Sequence, residues 1–113
     1  MSDACLFCRI IAAEIPAEVV ATTDDAIAFR DVNPQAPLHV LVVPRTHVPD
    51  VAALADAEPD TVAGLVSLAR RVATDEGHDS YRLVLNTGGD AGQTVFHAHL
   101  HLLAGRALTW PPG

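Results

Sequence analysis

The chain has 113 residues, half of them hydrophobic, with fourteen acidic and seven basic side chains and a formal net charge of −7. This length suits one domain around one core, and we expect residues 1–113 to form it. An acidic chain without a basic stripe argues against binding long DNA or RNA, where phosphate neutralisation supplies most of the affinity. Every basic residue is arginine, which excludes catalysis through a lysine Schiff base.

The hydrophobic residues are dispersed along the chain. No apolar run approaches the roughly eighteen residues that a membrane-spanning helix requires. Residues 1–4 lack the basic start and apolar run of a secretory signal. We therefore expect a soluble, cytoplasmic protein that makes no use of a membrane.

The chain opens on a Cys-x-x-Cys pair at the start of a short predicted helix. Helical spacing of the side chains between residues 6 and 13 predicts this helix, which ends before Ile15-Pro16. Cys5 and Cys8 are the only cysteines. Such a pair is a metal half-site, a redox pair or two inert buried thiols, and the spacing leaves these alternatives open. A zinc ion would need two further ligands, which histidines can supply.

A β-hairpin is predicted next. Residues 18–22 and 26–30 read as two strands joined by a polar turn. Asp31 follows in a turn punctuated by Pro34. Its carboxylate is either an ordinary turn group or an acceptor for ribose hydroxyls, as in other nucleotide sites.

Longer elements form the scaffold. Residues 38–44 read as a buried strand whose single polar side chain is His39, and 81–86 as a later strand. Residues 59–76 read as a long helix, with Gly77 as its C-terminal cap. Its predicted apolar stripe is Val62, Leu65, Val66, Ala69 and Val72. The order of helix, three strands, helix and two strands predicts an α+β fold with a mostly antiparallel sheet.

A glycine-rich loop precedes the last predicted strand. Residues 86–94 contain three glycines among small polar residues. Such a loop either joins two strands or turns backbone N–H groups inward as a nest for a small anion. A Walker A site is excluded, because no Gly-Lys-Ser/Thr sequence follows.

Three histidines alternate with apolar residues directly after this loop. An extended strand places His97, His99 and His101 on one face, whereas a helix would scatter them. The intervening Phe96, Ala98, Leu100 and Leu102 then face the core. Three histidines within five positions favour a catalytic role over a merely polar strand face, because imidazole titrates near neutral pH.

These residues together resemble the histidine-triad (HIT) family, and within it the nucleotide-binding branch that hydrolyses purine nucleoside phosphoramidates. The resemblance spans nearly the whole chain. It is carried by Phe7–Pro16, Ala28–Pro37, the strand leading to Pro44, Asn86, Gly92-Gln93-Thr94, the histidine run and the terminal Trp110-Pro111-Pro112-Gly113.

The resemblance implies a HIT-like fold with a five-stranded, mostly antiparallel sheet, one short and one long helix, and a homodimer with a continuous sheet. It implies that His99 attacks the α-phosphate of a purine nucleotide, forming a nucleotidyl-histidine that water then cleaves. His39, His97 and His101 would complete the catalytic histidine cluster. His101, Gln93 and the backbone around Thr94 would hold phosphate oxygens. The family usually carries serine where this chain has Thr94, so the hydroxyl is retained.

The resemblance also assigns the remaining nucleotide-binding residues and the metal ligands. Asp31 would bind the ribose, and Asn86 and Gly92 would border the phosphate. The base would lie among Leu6, Ile10, Phe29 and Val32. Bacterial relatives with Cys-x-x-Cys hold a structural zinc ion, for which the ligands here would be Cys5, Cys8, His47 and His97. No organic cofactor is expected.

Three other functions compete with the phosphoramidase reading. Within the family, a dinucleoside polyphosphate hydrolase would use the same nucleophile. A nucleotide-binding interaction module would need the site but little turnover. A catalytic zinc site on the three histidines is disfavoured, because no carboxylate ligand or base lies in the run.

Overall fold

The computed structural model describes residues 4–113. The expectation of no secretory signal rests mainly on residues 1–3, which lie outside the described residues. The helices are α1 (Leu6–Ile11), α2 (Val51–Ala57) and α3 (Pro59–Asp75), with a short 3₁₀ turn at Gly89–Ala91. The strands are β1 (Val19–Thr22), β2 (Ala26–Arg30), β3 (Leu38–Pro44), β4 (Tyr81–Val84) and β5 (Leu100–Ala104). No helix among these residues is long and apolar enough to cross a membrane.

The strands form one antiparallel sheet in the order β1-β2-β3-β5-β4. This confirms the predicted α+β class and the five-stranded sheet. Side chains alternate across the two faces, as strand geometry requires. Leu38, Val40 and Val42 pack with α2 and α3 in the larger core, whereas Leu41 and Val43 pack with α1 in a smaller one. The second face, under α1, is the one that carries His39 and His101.

The long helix begins and ends near its predicted limits. Pro59 occupies its first turn, and Gly77 follows its end with φ +86°, a conformation that favours glycine. The predicted apolar stripe was wrong in part: Val66 is 43% exposed, and Leu68 and Ala73 are buried instead. The buried face of the helix is therefore rotated relative to the predicted stripe. Packing against the sheet, and not the pattern of apolar side chains alone, determines which face is buried.

Helix α2 was not predicted. It begins after Asp50, whose carboxylate accepts a hydrogen bond from the Ala53 N–H at 2.8 Å, and it buries Val51 and Leu54. An aspartate N-cap followed by apolar residues three apart is the available signal. Seven residues are too few to show a clear helical period. Pro59 follows almost directly and indicates the start of the longer helix, so the shorter one was not predicted.

The histidine run is only partly a strand. β5 begins at Leu100, and bends at Val95 and His97 interrupt the alternation before it. Ala98, Leu100 and Leu102 are buried as predicted, but Phe96 is 54% exposed, so its predicted place in the core was wrong. The histidine face is not a solvent face either, because His97 and His99 are buried.

We expect Leu54→Ala to lower the free energy of unfolding by about 2 to 5 kcal/mol, because Leu54 of α2 is fully buried in the larger core. Urea denaturation followed by circular dichroism measures this change. Asp56→Ala on the exposed face of the same helix is the control and should change stability by no more than about 0.5 kcal/mol. Equal effects of both substitutions would contradict the packing of α2.

Candidate active site

A cavity of about 360 Å³ lies between α1, the turn after β2 and the segment before β5. It brings together all but one of the residues predicted to bind nucleotide. Its lining is Leu6, Phe7, Ile10, Ile15, Pro16, Ala17, Phe29, Arg30, Asp31, Val32, Leu41, Asn86, Gly92, Thr94, Val95, His99 and His101. Gln93 is the predicted residue that is absent from this lining.

The cavity floor is built by strand register. Phe29 pairs with Leu41 across β2 and β3, and Leu41 pairs with His101 across β3 and β5. These three side chains therefore lie side by side, with the two apolar ones, Phe29 and Leu41, followed by the polar His101. Val32 stands at the rim and is 99% exposed, which is unusual for a valine and leaves its surface free to contact a ligand. One end of the cavity is thus apolar and the other carries imidazoles.

His99 is held in a single tautomer. Its Nδ1 lies 2.7 Å from the carbonyl oxygen of His97. A carbonyl only accepts hydrogen bonds, so Nδ1 carries a proton and, in the neutral ring, Nε2 carries the lone pair. Among the described residues Nε2 has no hydrogen-bond partner, and the imidazole lines the cavity. This is the state that a nucleophilic histidine requires.

Phe7 restricts the ring of His99 and was missed by the sequence analysis. The two rings meet edge to face, with centroids 5.0 Å apart and an interplanar angle of 85°. Phe7 also contacts His97 and Phe29 in the same manner. It is buried beneath the cavity, so α1 fixes the imidazole as well as the cavity wall. The only sequence signal is an aromatic residue enclosed by the two cysteines.

A chain of hydrogen bonds sets the tautomer of His101. The backbone N–H of Gln35 donates to His39 Nδ1 at 3.0 Å, so the His39 proton is on Nε2. His39 Nε2 lies 2.9 Å from His101 Nδ1 and donates to it. The remaining proton of His101 is therefore on Nε2. His101 presents a donor where His99 presents a lone pair.

Burial keeps these two imidazoles neutral. Burial, together with repulsion from charged forms of His99 and His39, lowers the pKa of His101 to about 4, against the opposing attraction of Asp31. Burial also lowers the pKa of His39, against the opposing attraction of Asp31. Neither ring is therefore protonated at pH 7, and the tautomers derived above persist at that pH.

Asp31 reaches the same end of the cavity. Its Oδ1 accepts a hydrogen bond from the Asn33 N–H at 2.8 Å, which fixes the turn, and its Oδ2 lies 3.5 Å from His39 Nε2. The carboxylate therefore keeps free acceptor capacity at the cavity wall. This arrangement fits a ligand that offers hydroxyl donors.

Asp31, His39 and His101 lie close enough to suggest a metal site, since their ligand atoms are within 4.8 Å of one another. The hydrogen bonds argue against it. His39 Nδ1 accepts from a backbone N–H, so Nε2 must carry the proton and cannot ligate a metal. These three residues form a hydrogen-bonded cluster.

Cys5, Cys8, His47 and His97 form a second cluster with the geometry of a tetrahedral metal site. Their four ligand atoms lie within 4.8 Å of one another, and four of the separations between them are 3.1, 3.3, 3.4 and 3.5 Å. A zinc ion with bonds of about 2.3 Å to sulfur and about 2.0 Å to nitrogen separates its ligands by about 3.3 to 3.8 Å. The residues present therefore fit zinc.

The protonation of this cluster agrees with that assignment. His97 Nε2 donates to the Pro44 carbonyl oxygen at 2.9 Å, which leaves the Nδ1 lone pair facing the thiols. Such a bond to the far nitrogen is the usual support for a metal-binding histidine. Burial and the neighbouring Cys5 raise the pKa of the Cys8 thiol. A divalent cation would reverse this effect, because metal binding favours the thiolate.

Gln93 supports the site without lining the cavity. Its side chain is buried, and its Nε2 donates to the carbonyl oxygens of Pro49 and Val95 at 2.6 and 3.1 Å. Its Oε1 accepts from the Gly88 N–H at 2.9 Å. The amide group thus ties the glycine loop to the segment before α2, which differs from the expected contact with phosphate.

The glycine loop offers fewer free donors than a full nest. The N–H groups of Gly92 and Gln93 donate to Gly89 and Gly88 within the loop. Thr94 N–H has no partner among the described hydrogen bonds, and Thr94 lines the cavity. Gly92 has φ +102°, which a side chain would strain, and Asn86 lies next to it. Within this part of the loop, the backbone N–H of Thr94 is therefore the remaining candidate for the predicted anion contact.

We expect His101→Gln to reduce the loss of stability on acidification. His101 has a folded pKa of about 4 against about 6.5 when unfolded, so the unfolded chain binds more protons between these values. Stability contributed by the neutral ring is complete above pH 6.5 and falls by up to about 1.4 kcal/mol per pH unit towards pH 4. Urea titrations of both proteins at pH 8, 6 and 5 measure the free energy of unfolding at each pH. The difference between the two proteins at pH 8 gives the cost of the substitution itself. Parallel pH profiles would contradict the burial of His101.

Comparison with known proteins identifies the family and agrees with the fold. The sequence profile of the HIT domain matches residues 12–108. An uncharacterized HIT-like protein of Synechocystis is 46% identical over 114 residues, covering both chains completely. A HIT family hydrolase of Legionella pneumophila superposes with a TM-score of 0.92 at 45% identity, covering 96% of this chain and 99% of that one. One from Clostridium thermocellum also gives 0.92, at 38% identity and 96% coverage of each chain. The chain belongs to the HIT domain family.

Proposed function

We propose that this protein hydrolyses purine nucleoside phosphoramidates to the nucleoside monophosphate and an amine, through a covalent intermediate on His99. The observation that carries the proposal is the 2.7 Å hydrogen bond from His99 Nδ1 to the His97 carbonyl oxygen, which leaves the Nε2 lone pair at a nucleoside-sized cavity. The hydrolases among the structural neighbours support the same class of reaction.

The proposed binding mode follows the polarity of the cavity. The purine lies at the apolar end, among Leu6, Ile10, Phe29 and Val32. Asp31 accepts hydrogen bonds from the ribose hydroxyls with its free acceptor capacity. This arrangement brings the 5′ substituent towards the imidazole end. Apolar walls discriminate weakly between purines, so the base preference is expected to be modest.

The α-phosphate lies next to His99, Thr94 and His101. His101 Nε2–H and the Thr94 N–H donate to its oxygens, with Asn86 and Gly92 at the border. These donors are fixed before substrate binds, because the histidine chain and the loop hydrogen bonds hold them. Preorganised donors stabilise charge that develops on the phosphoryl oxygens in the transition state.

The reaction proceeds in two displacements. The His99 Nε2 lone pair forms a bond to phosphorus, the phosphorus–amine bond breaks, and the amine takes a proton from water as it leaves. Water then attacks phosphorus, the bond to Nε2 breaks and its electron pair returns to the ring, while the attacking water loses one proton to solvent. One water is consumed overall. Splitting the reaction this way replaces one difficult step with two easier ones.

The cysteine–histidine cluster would hold a structural zinc ion in this proposal. Four protein ligands close its coordination sphere, so the ion would add rigidity and no reacting group. It would tie α1 to the loop after β3 and to the segment before β5. The residues that act on the substrate remain those of the adjacent cavity.

We further propose a cytoplasmic homodimer of a single HIT domain spanning residues 1–113. β4 lies at an edge of the sheet, where unpaired backbone groups are available to a second strand. The exposed Leu85 and Trp110 add apolar surface, which supports a contact between subunits.

We expect His99→Ala to lower the release of AMP from adenosine 5′-phosphoramidate by at least about a thousandfold, because the variant lacks the nucleophile. Chromatographic detection of AMP measures the rate, and calorimetry with AMP tests whether the variant still binds nucleotide. His78→Ala, which removes a histidine outside the cavity, is the control and should keep the native rate. Retained activity in His99→Ala would refute the assignment. A native protein that cleaves only dinucleoside polyphosphates would favour that alternative, and one that only binds AMP would favour the interaction module.

We expect about one zinc ion per chain in protein purified without chelators, because the four ligands fit a tetrahedral site. Cys8→Ser should lower both the zinc content and the melting temperature, since metal binding free energy contributes to folding. Elemental analysis and a thermal melt measure the two effects, with Asp56→Ala as a control that should retain zinc. Metal-free native protein with an unchanged melting temperature would contradict a structural zinc site.

A further inference from the structure

The segment that follows β5 packs against the turn formed by residues 31–37. Leu38, the first residue of β3, pairs with Ala104, the last residue of β5, so the chain that leaves β5 meets the chain that enters β3. A Cβ atom built on Gly105 would lie 2.8 Å from the Cβ of Pro37, which is closer than real side chains approach. Gly105 also has φ +98°, a conformation that favours glycine. The two segments are therefore in direct contact.

The guanidinium group of Arg106 adds a hydrogen bond to this contact. Its Nε donates to the carbonyl oxygen of Gln35 at 2.9 Å, and its Nη1 donates to the carbonyl oxygen of Ala107 at 3.0 Å. The second bond folds the side chain back onto its own backbone, so the group is held at two points. A charged donor makes a stronger hydrogen bond than a neutral one. In the described part of the chain, no other side chain outside residues 31–39 forms a hydrogen bond with the turn.

Gln35 is also the first member of the chain of hydrogen bonds that ends at His101. Its N–H donates to His39 Nδ1 at 3.0 Å, and His39 Nε2 donates to His101 Nδ1 at 2.9 Å. The N–H and the carbonyl of Gln35 flank the same Cα atom, and the ring of Pro34 restricts the backbone torsion just before them. By holding the carbonyl, Arg106 therefore also restricts the direction of the N–H.

Asp31 lies at the start of the same turn but has anchors of its own. Its N–H donates to the carbonyl oxygen of His39 at 3.0 Å, and its Oδ1 accepts from the Asn33 N–H at 2.8 Å. Neither of these bonds involves Gln35 or Arg106. Loss of the guanidinium group should therefore disturb the histidine chain more than the carboxylate that is proposed to bind the ribose.

We propose that Arg106 is a positioning residue, which holds Gln35 so that His39 and His101 keep the tautomers that present His101 Nε2–H to the α-phosphate. The inference rests on the proposed function and adds to it a residue outside the cavity lining. Without this hold, the Gln35 N–H turns away from His39, whose Nδ1 then takes the ring proton. His39 Nε2 becomes an acceptor, the proton of His101 moves to Nδ1, and a lone pair replaces the donor at His101 Nε2.

NMR of the ¹⁵N-labelled protein at pH 7 tests the tautomers directly. In the native protein, Nε2 should be protonated and Nδ1 unprotonated in both His39 and His101. Arg106→Met keeps the length of an exposed side chain but removes its donors, and it should bring the two ring-nitrogen shifts of His101 closer together because two tautomers then exchange. Arg106→Lys retains a charged donor and should keep most of the native pattern. Arg45→Met is the matched control, since Arg45 donates to a turn carbonyl, that of Thr23, outside the cavity lining.

Cleavage of adenosine 5′-phosphoramidate measures the effect on the reaction. Arg106→Met should lower kcat by about three- to tenfold and change KM by less than about twofold, because the affected donor acts on charge that develops in the transition state. Arg106→Lys should recover most of kcat, and Arg45→Met should leave both constants unchanged. A higher KM with an unchanged kcat would contradict the positioning role, since it would indicate a general loss of binding.

The two measurements separate this inference from the proposed reaction. If the native protein cleaves no phosphoramidate but Arg106→Met still shifts the His101 nitrogens, the proposed function fails and the control of the tautomer by Arg106 stands. If the substrate is cleaved and Arg106→Met changes neither the shifts nor kcat, the positioning role is refuted and the proposed function stands. A change in only one of the two would refute the link between the tautomer and the rate.

Discussion

The hydrogen bond from His99 Nδ1 to the His97 carbonyl oxygen is the interaction on which the site depends. It fixes where the lone pair of His99 lies, and it ties that lone pair to the backbone of a residue in the metal-type cluster. The residue that supplies this carbonyl is itself anchored, because His97 is fully buried and its ring donates to the carbonyl oxygen of Pro44 at the end of β3. The ring of His99 also packs edge to face against Phe7, which belongs to α1. The proposed nucleophile is thus positioned by β3, α1 and the segment before β5 together.

Four imidazoles lie near one another, those of His39, His97, His99 and His101. In each ring, the hydrogen-bond partner of one nitrogen determines whether the other nitrogen is a donor or carries a lone pair. A carbonyl makes the contacting nitrogen of His97 and of His99 a donor, leaving a lone pair on the other. A backbone N–H makes His39 Nδ1 an acceptor, and the effect passes through His39 to leave His101 with a free N–H. Burial then keeps His39 and His101 neutral, so these assignments do not change near pH 7. Backbone groups therefore give chemically identical side chains different proposed roles: His97 as a metal ligand, His99 as a nucleophile and His101 as a donor that His39 orients.

Periodicity predicted the strands and the long helix, whereas the resemblance to the HIT family predicted most of the residues that line the cavity. Periodicity misplaced Phe96, since strict alternation assumes a regular strand and the bends at Val95 and His97 lie outside any period. The resemblance assigned Gln93 to phosphate, whereas the structure commits that amide to Pro49, Val95 and Gly88, contacts across the fold that no local pattern encodes. Phe7 was overlooked for the same reason. Its contacts with His97 and His99 join residues about ninety positions apart in the chain, and only tertiary packing reveals such pairs.

The structure also explains how the geometry of His99 can be independent of the metal that the neighbouring cluster would hold. His97 is anchored at Nε2 by the Pro44 carbonyl, and the next residue, Ala98, donates its N–H to Val48 at 2.8 Å. Both anchors belong to the segment around the end of β3, and neither involves a cysteine. The carbonyl that orients His99 therefore keeps its place through two protein hydrogen bonds even when Nδ1 of His97 has no metal to bind. A zinc ion would add a third constraint to the same segment, so its removal should affect the stability of α1 more than the tautomer of His99.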